Sequence, residues 1–171
     1  MDLFRNEQDL NIVFTSLQFQ PDGAKLGDKF MFIGPSIYDR KDAPDFSFGN
    51  IGDRKLVYVS LGTIANERPD FYRKCIKAFS RVEFNVLISI GSKVNKKELG
   101  VIPSNILIEN YVPQIEVLKK ASLFISHGGM NSVNEALYFG VSLLILPQQF
   151  EQVMFQKELR NWIGVPQGGL C

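Results

Sequence analysis

The amino-acid sequence predicts an α/β fold: a doubly wound, Rossmann-like parallel sheet. Three observations carry that prediction. Several short apolar runs lack the alternation of a half-exposed strand, most of them end at glycine or proline, and stretches with helical apolar spacing lie between them. Unbroken apolar runs suit strands buried on both faces, and a strand–helix–strand repeat builds a parallel sheet covered by helices. Right-handed crossovers then bring the C-terminal ends of the strands to one rim, where such sheets bind ligands.

The elements follow in chain order. "NIVFTSLQFQP" (11–21) and "KFMFIGP" (29–35) read as two strands joined by a polar turn around "PDGAKLGD". The stretch 36–55, rich in Pro, Gly and Asp, reads as a linker. Two strands and a linker are too little for an independent domain, so residues 1–35 are expected to be the tail of a larger upstream domain. Residues 56–171 hold the α/β pattern. "LVYVSLG" (56–62) is β-rich, and "RPDFYRKCIKAFS" (68–80) has helical spacing behind a Pro suited to a first turn. "FNVLISIG" (84–91) and "NILIENYVP" (105–113) are strands with a lysine-bearing loop and no helix between them. "QIEVLKKA" (114–121) reads as a short helix and "SLFIS" (122–126) as a strand. "NSVNEALYFG" (131–140) reads as a helix that presents Val133, Ala136, Leu137 and Gly140 on one face. "SLLILP" (142–147) and "EQVMFQKELRNW" (151–162) complete the pattern as strand and helix.

Bulk properties narrow the function. The chain of 171 residues is 45% hydrophobic and 22% charged, with a net charge of +1 spread along it, which argues against a nucleic-acid-binding face. Cys75 and Cys171 share no ligand spacing, so no zinc site or disulfide framework is indicated, and Cys75 reads as a core residue beside Phe71 and Phe79. "MDLFRNEQDL" is too acidic and interrupted for a signal peptide. The longest apolar run, 137–146, is broken by Gly140 and Ser142 and is too short to span a bilayer. No stable membrane insertion and a cytoplasmic location are therefore expected.

The chemistry concentrates in "FISHGGMNSVNEALYFGV" (124–141), which contains the sole histidine. His127 lies in the turn from strand to helix, at the ligand-binding rim. Gly128 and Gly129 allow close backbone approach. The N–H groups of Gly129, Met130, Asn131 and Ser132 are the unpaired donors of the helix's first turn, at the positive end of its dipole. Such an end suits phosphate. Side-chain donors on His127, Asn131 and Ser132 add hydrogen bonds to charge worth roughly 1.5–3 kcal/mol each, against under about 1 kcal/mol for the dipole. Glu135, one turn beyond Asn131, is placed to accept from a vicinal diol such as a ribose. A helix cap formed by His127 and Ser126 would explain a bare glycine turn, but caps seldom need two glycines and four polar groups.

Residues 111–152, "YVPQIEVLKKASLFISHGGMNSVNEALYFGVSLLILPQQFEQ", resemble the donor-binding signature of the UDP-glycosyltransferase family, in particular its bacterial macrolide-type members in family 1. The likeness rests on Pro113–Gln114, His127–Gly128–Gly129, Asn131–Ser132, Glu135, Gly140, Pro147 and Glu151–Gln152. "SLGT" (60–63) and "FIGPSI" (32–37) also resemble family landmarks. The resemblance implies the C-terminal half of a GT-B fold, with residues 56–171 as a donor-binding domain truncated at its C-terminus. It implies that Tyr111 stacks on the uracil, where the family often has Trp, that the Val112 backbone reads the base edge, and that Gln114 lies nearby. It further implies that His127, the amides of Gly129 and Met130, and Asn131 with Ser132 hold the diphosphate, and that Glu135 holds the ribose. Glu151 and Gln152 would bind the donor sugar's hydroxyls, while Gly62 and Thr63 close the cleft beside the β-phosphate. Ser142 stands where a Pro is frequent, and Glu151 where many members have Asp.

The same resemblance places the general base, usually a His, in the N-terminal acceptor domain. No catalytic residue is therefore expected in this chain, which would bind UDP or a UDP-sugar without transferring it. The partners implied are a UDP-sugar and, through the missing domain, a small-molecule acceptor. No cofactor or metal is expected. Two alternatives stay open: a nucleotide-sugar epimerase of related two-domain fold, and a non-catalytic nucleotide-sugar-binding subunit of a split transferase.

Overall fold

Short extended segments open the structure. The computed structural model describes residues 8–20, 22–38, 46–48, 54–64 and 66–148. Strands β1 (Asn11–Val13) and β2 (Phe30–Phe32) pair in parallel, Asn11 opposite Phe30 and Val13 opposite Phe32. The expected pair is present, but the polar stretch between the strands is a crossover with 3-10 turns at Leu17–Phe19 and Gly23–Lys25. A two-residue hairpin would have made the strands antiparallel. Residues 1–7 and most of the linker lie outside the described residues. Phe46 and Phe48 are described, and both pack against the main body rather than lying in solvent.

The main body is a five-stranded, all-parallel sheet. In chain order it comprises β3 (Leu56–Ser60), α1 (Pro69–Phe79), β4 (Asn85–Ser89), a 3-10 turn (Lys96–Leu99), β5 (Ile106–Glu109), α2 (Gln114–Leu118), β6 (Ala121–Ser126), α3 (Met130–Tyr138) and β7 (Ser142–Ile145). The strands lie in the order β5-β4-β3-β6-β7. This is the doubly wound arrangement predicted, including the helix-free step between β4 and β5. The chain walks from β3 to one edge, then returns through α2 to place β6 on the other side of β3. The switch point therefore falls between β3 and β6.

Burial on both faces explains the unbroken apolar runs. Every residue of β3 is buried. Val57 and Val59 join Tyr72, Cys75 and Ile76 of α1 in one cluster. Leu56 and Tyr58 point the other way, into a cluster with Val117 and Leu118 of α2 and Ala136 of α3. Phe124 of β6 stacks on Tyr58 at 4.6 Å between ring centroids, in a part of the core where neither ring is more than 2% exposed. Cys75 is buried and free, as its spacing suggested.

One helix face differs from expectation. On α3 the buried residues are Val133, Asn134 and Ala136, whereas Leu137 and Gly140 face outward. The stretch after β1 explains the buried asparagine. The Thr15 hydroxyl donates to Asn134 Oδ1 at 3.2 Å, and both residues are buried. A polar contact from a distant part of the chain thus accounts for the buried Asn134, while Leu137 lies exposed in the last turn of the helix. The expected helix over 151–162 lies outside the described residues.

Among the described residues, no helix is long and apolar enough to cross a membrane. Replacing Phe124 by Ala is expected to lower the unfolding free energy by about 3–5 kcal/mol, as loss of a fully buried ring does. Urea denaturation followed by circular dichroism measures it.

Candidate functional site

Two matching turns form the switch point. Ser60 ends β3 and Ser126 ends β6, and the two are paired in register. Each serine hydroxyl accepts the amide of the glycine two residues on: Gly62 N–H to Ser60 Oγ at 3.3 Å, and Gly128 N–H to Ser126 Oγ at 3.2 Å. Serine does this readily at strand ends, and glycine supplies the left-handed backbone that follows. Gly62 has φ of +77° and Gly128 +85°. The repeat is visible in the sequence as "SLG" and "SHG", although its meaning depends on the two strands being neighbours.

The imidazole of His127 fills the gap between these turns. A Cβ built on Gly62 would stand 2.6 Å from its Cε1, and one on Gly129 would stand 2.5 Å from its Nε2. Neither position tolerates a side chain while the ring stays where it is. Burial pushes the imidazole pKa below its ordinary value of 6.5, so the ring is neutral at neutral pH. Its Nδ1 is buried with no hydrogen-bond partner among the described residues.

Helix α3 begins immediately beyond. Gly129 is its N-cap and no side chain caps it. The first intrahelical bond runs from Val133 N–H to Gly129 O at 3.0 Å, so the amides of Met130, Asn131 and Ser132 precede it. Ser126 is engaged by Gly128 and His127 by the glycines. The capping explanation of these residues therefore fails.

The opposite wall comes from the loop after β5 and the start of α2. Tyr111 is 62% exposed and donates its hydroxyl to Ser92 Oγ at 3.2 Å. Gln114 braces three elements at once. Its Oε1 accepts from the Tyr58 hydroxyl at 3.3 Å, while its Nε2 donates to Glu135 Oε2 at 2.6 Å and reaches Ser132 Oγ at 3.3 Å. Burial raises the Tyr58 pKa well above the usual phenol range, which keeps that hydroxyl a donor. Gln114, expected near a nucleobase, is thus seen holding the Glu135 carboxylate in place.

The two turns, the start of α3 and the opposite wall border one cavity of about 810 Å³. Its lining contains Gly62, Thr63, Tyr111, Val112, Gln114, His127, Gly129, Met130, Asn131, Ser132 and Glu135, every candidate residue that the structure describes. Glu151 and Gln152 lie outside the described residues. Sequence reasoning missed Tyr58, Ser60, Ser89 and Phe46, which also line it. The first three sit within apolar strand runs, where nothing separates a cavity floor from core. Phe46 could have been flagged as half of the "FSF" aromatic pair in an otherwise polar linker. Among the described residues, no cluster of three or more His, Cys, Asp or Glu side chains is assembled.

Known proteins resemble this chain in sequence and fold. Residues 41–165 match the family model of UDP-glucoronosyl and UDP-glucosyl transferase. An uncharacterized UDP-glucosyltransferase, YdhE, of Bacillus subtilis (strain 168) is 41% identical over 159 residues, covering 93% of this chain and 40% of that protein. The NDP-glycosyltransferase YjiC of the same organism is 46% identical over 143 residues, covering 84% of this chain and 36% of that one. The crystal structure of the kitacinnamycin glycosyltransferase superposes with a TM-score of 0.82 at 31% identity, over 94% of this chain and 41% of that one. The chain thus spans about two fifths of the length of these relatives.

The half-buried neutral ring has a consequence for stability. The unfolded chain protonates its histidine near pH 6.5, and the folded chain only at lower pH. Stability present above pH 6.5 is therefore lost as pH falls through the folded-state pKa. Urea midpoints at pH 7.5 and 5.5 are expected to drop more for the wild type than for His127→Gln.

Proposed function

The chain belongs to the UDP-glucoronosyl and UDP-glucosyl transferase family, and we propose that it is the donor-binding part of an inverting glycosyltransferase that uses a UDP-sugar. One observation carries the reading. The lone imidazole, an uncapped helix start and a braced carboxylate converge on one cavity at the switch point of a parallel sheet.

The roles follow from the chemistry of each group. His127, the amides of Gly129 and Met130, and the side chains of Asn131 and Ser132 offer donors to a diphosphate at the positive end of α3. Glu135 accepts from the ribose hydroxyls. Gln114 already orients it through one carboxylate oxygen, and a carboxylate has acceptor capacity to spare. Tyr111, exposed at the rim, offers a stacking face to uracil, with the Val112 backbone beside the base edge. The Gly62 amide is taken by Ser60, so the closing contact near the β-phosphate falls to Thr63. Glu151 and Gln152 are assigned to the donor sugar's hydroxyls.

In the transfer itself, the acceptor oxygen bonds to the anomeric carbon as the bond to the β-phosphate oxygen breaks. The acceptor proton goes to a base outside this chain. Negative charge grows on the departing diphosphate, and preoriented amides with the imidazole meet it at no cost of reorganisation. This chain supplies the leaving-group half of the reaction and, alone, binds without transferring.

Isothermal titration with UDP is expected to show binding, and His127→Ala to weaken it about tenfold or more, the effect of one hydrogen bond to a charged group. A folded sample that gives no heat with UDP overturns the reading. The pH profile is a separate check. An anion beside the imidazole raises its pKa, so affinity for UDP-glucose should climb as pH falls from about 8 toward 6. A UDP-sugar has no phosphate proton titrating in that range, and the slope is expected to vanish in His127→Gln.

A further inference from the structure

Gly62 is the wall on which the imidazole rests, and its place is set from behind the cavity. Its amide is held by Ser60 Oγ. Its carbonyl accepts from Asn66 Nδ2 at 2.8 Å, so both polar groups of this one residue are fixed. Asn66 is 3% exposed and is not among the residues that line the cavity. Its side chain lies beneath Gly91 at the end of β4, so close that a Cβ there would stand 2.2 Å from Nδ2. Gly91, with φ of +71°, borders the same cavity.

The backbone of Asn66 is anchored in turn. Its carbonyl accepts from the Tyr72 hydroxyl at 3.0 Å and from Arg68 N–H at 2.8 Å. Tyr72 is fully buried on α1. A continuous path therefore runs from the rigid helix through Asn66 to the Gly62 carbonyl and on to the imidazole. The Asn66 amide does this with Oδ1 buried and unpartnered among the described residues. Packing alone does not account for a half-satisfied amide where an apolar side chain of the same size would fit. The bond to Gly62 does.

We propose that Asn66 is a positioning residue of the donor site: it holds the turn after β3 so that Gly62 presses the His127 ring into place, without touching the nucleotide itself. The proposal rests on the nucleotide-sugar reading above. It assigns a role to the loop between β3 and α1, which no family landmark covers beyond Thr63.

Two measurements test it. The chain has one histidine, so NMR gives a single titrating imidazole Hε1 signal. In Asn66→Ala, or in Asn66→Leu, which fills the same space without a donor, the ligand-free titration midpoint should move up toward 6.5 as the loosened loop admits water. UDP affinity should fall about tenfold in the wild-type background and change less than about twofold when His127 is already Ala, because residues acting through one another are not additive. An unmoved midpoint in a folded variant overturns the proposal. So does a loss of affinity that is equally large without His127, since that marks general destabilisation. If the wild type itself fails to bind UDP, the donor reading falls, and the ligand-free titration alone then decides the role of Asn66.

Discussion

An aromatic ring that carries hydrogen-bonding nitrogens sits against two glycine Cα atoms at the point where β3 and β6 diverge. That contact demands much of the structure around it. Gly62 and Gly129 must lack side chains, since a Cβ on either would stand within 2.6 Å of the imidazole. The two strands must end level, which the pairing of Ser60 with Ser126 secures. Both turns must bend the same way, and each serine takes the amide of its own glycine to make them do so. The parallel sheet is thus the jig for one ring, and the burial that holds the ring also keeps it neutral.

The rest of the cavity is arranged by polar bracing on an apolar floor. Tyr58 belongs to the core through its stack on Phe124, yet its hydroxyl reaches Gln114, and Gln114 reaches Glu135 and Ser132. Each such bond adds only about 1 kcal/mol to folding. Their value lies in orientation. Under the proposed donor-binding role, a carboxylate and an uncapped helix end held in place this way need not reorganise for a charged, hydroxylated ligand. The stability comes from the two apolar clusters, and the precision comes from a handful of hydrogen bonds anchored in them.

Part of this was readable from the residues in order. The sheet with its helices was legible in the unbroken runs around Val57, Val86 and Phe124, because burial on both faces leaves no polar alternation. The uncapped start of α3 was legible because glycines, polar side chains and a helix start are adjacent in the chain. The orientation of β1 against β2 was not, since a polar crossover and a polar turn have the same composition. Nor was the burial of Asn134, because the Thr15 hydroxyl that bonds it comes from a distant stretch of the chain. Asn66 was passed over for the same reason, as a polar residue in a loop reads as solvated until its partner is known.

The sequence by itself determined the local things: which stretches are strand or helix, where the glycines let the backbone turn, and which side chains can bond a phosphate or a diol. Only the tertiary structure decided which of them meet. The strand order that seats β6 beside β3 put His127 over Gly62, and the return of α2 put Gln114 on Glu135. These are long-range contacts, set by how whole elements pack to bury apolar surface, and no window along the chain contains both partners.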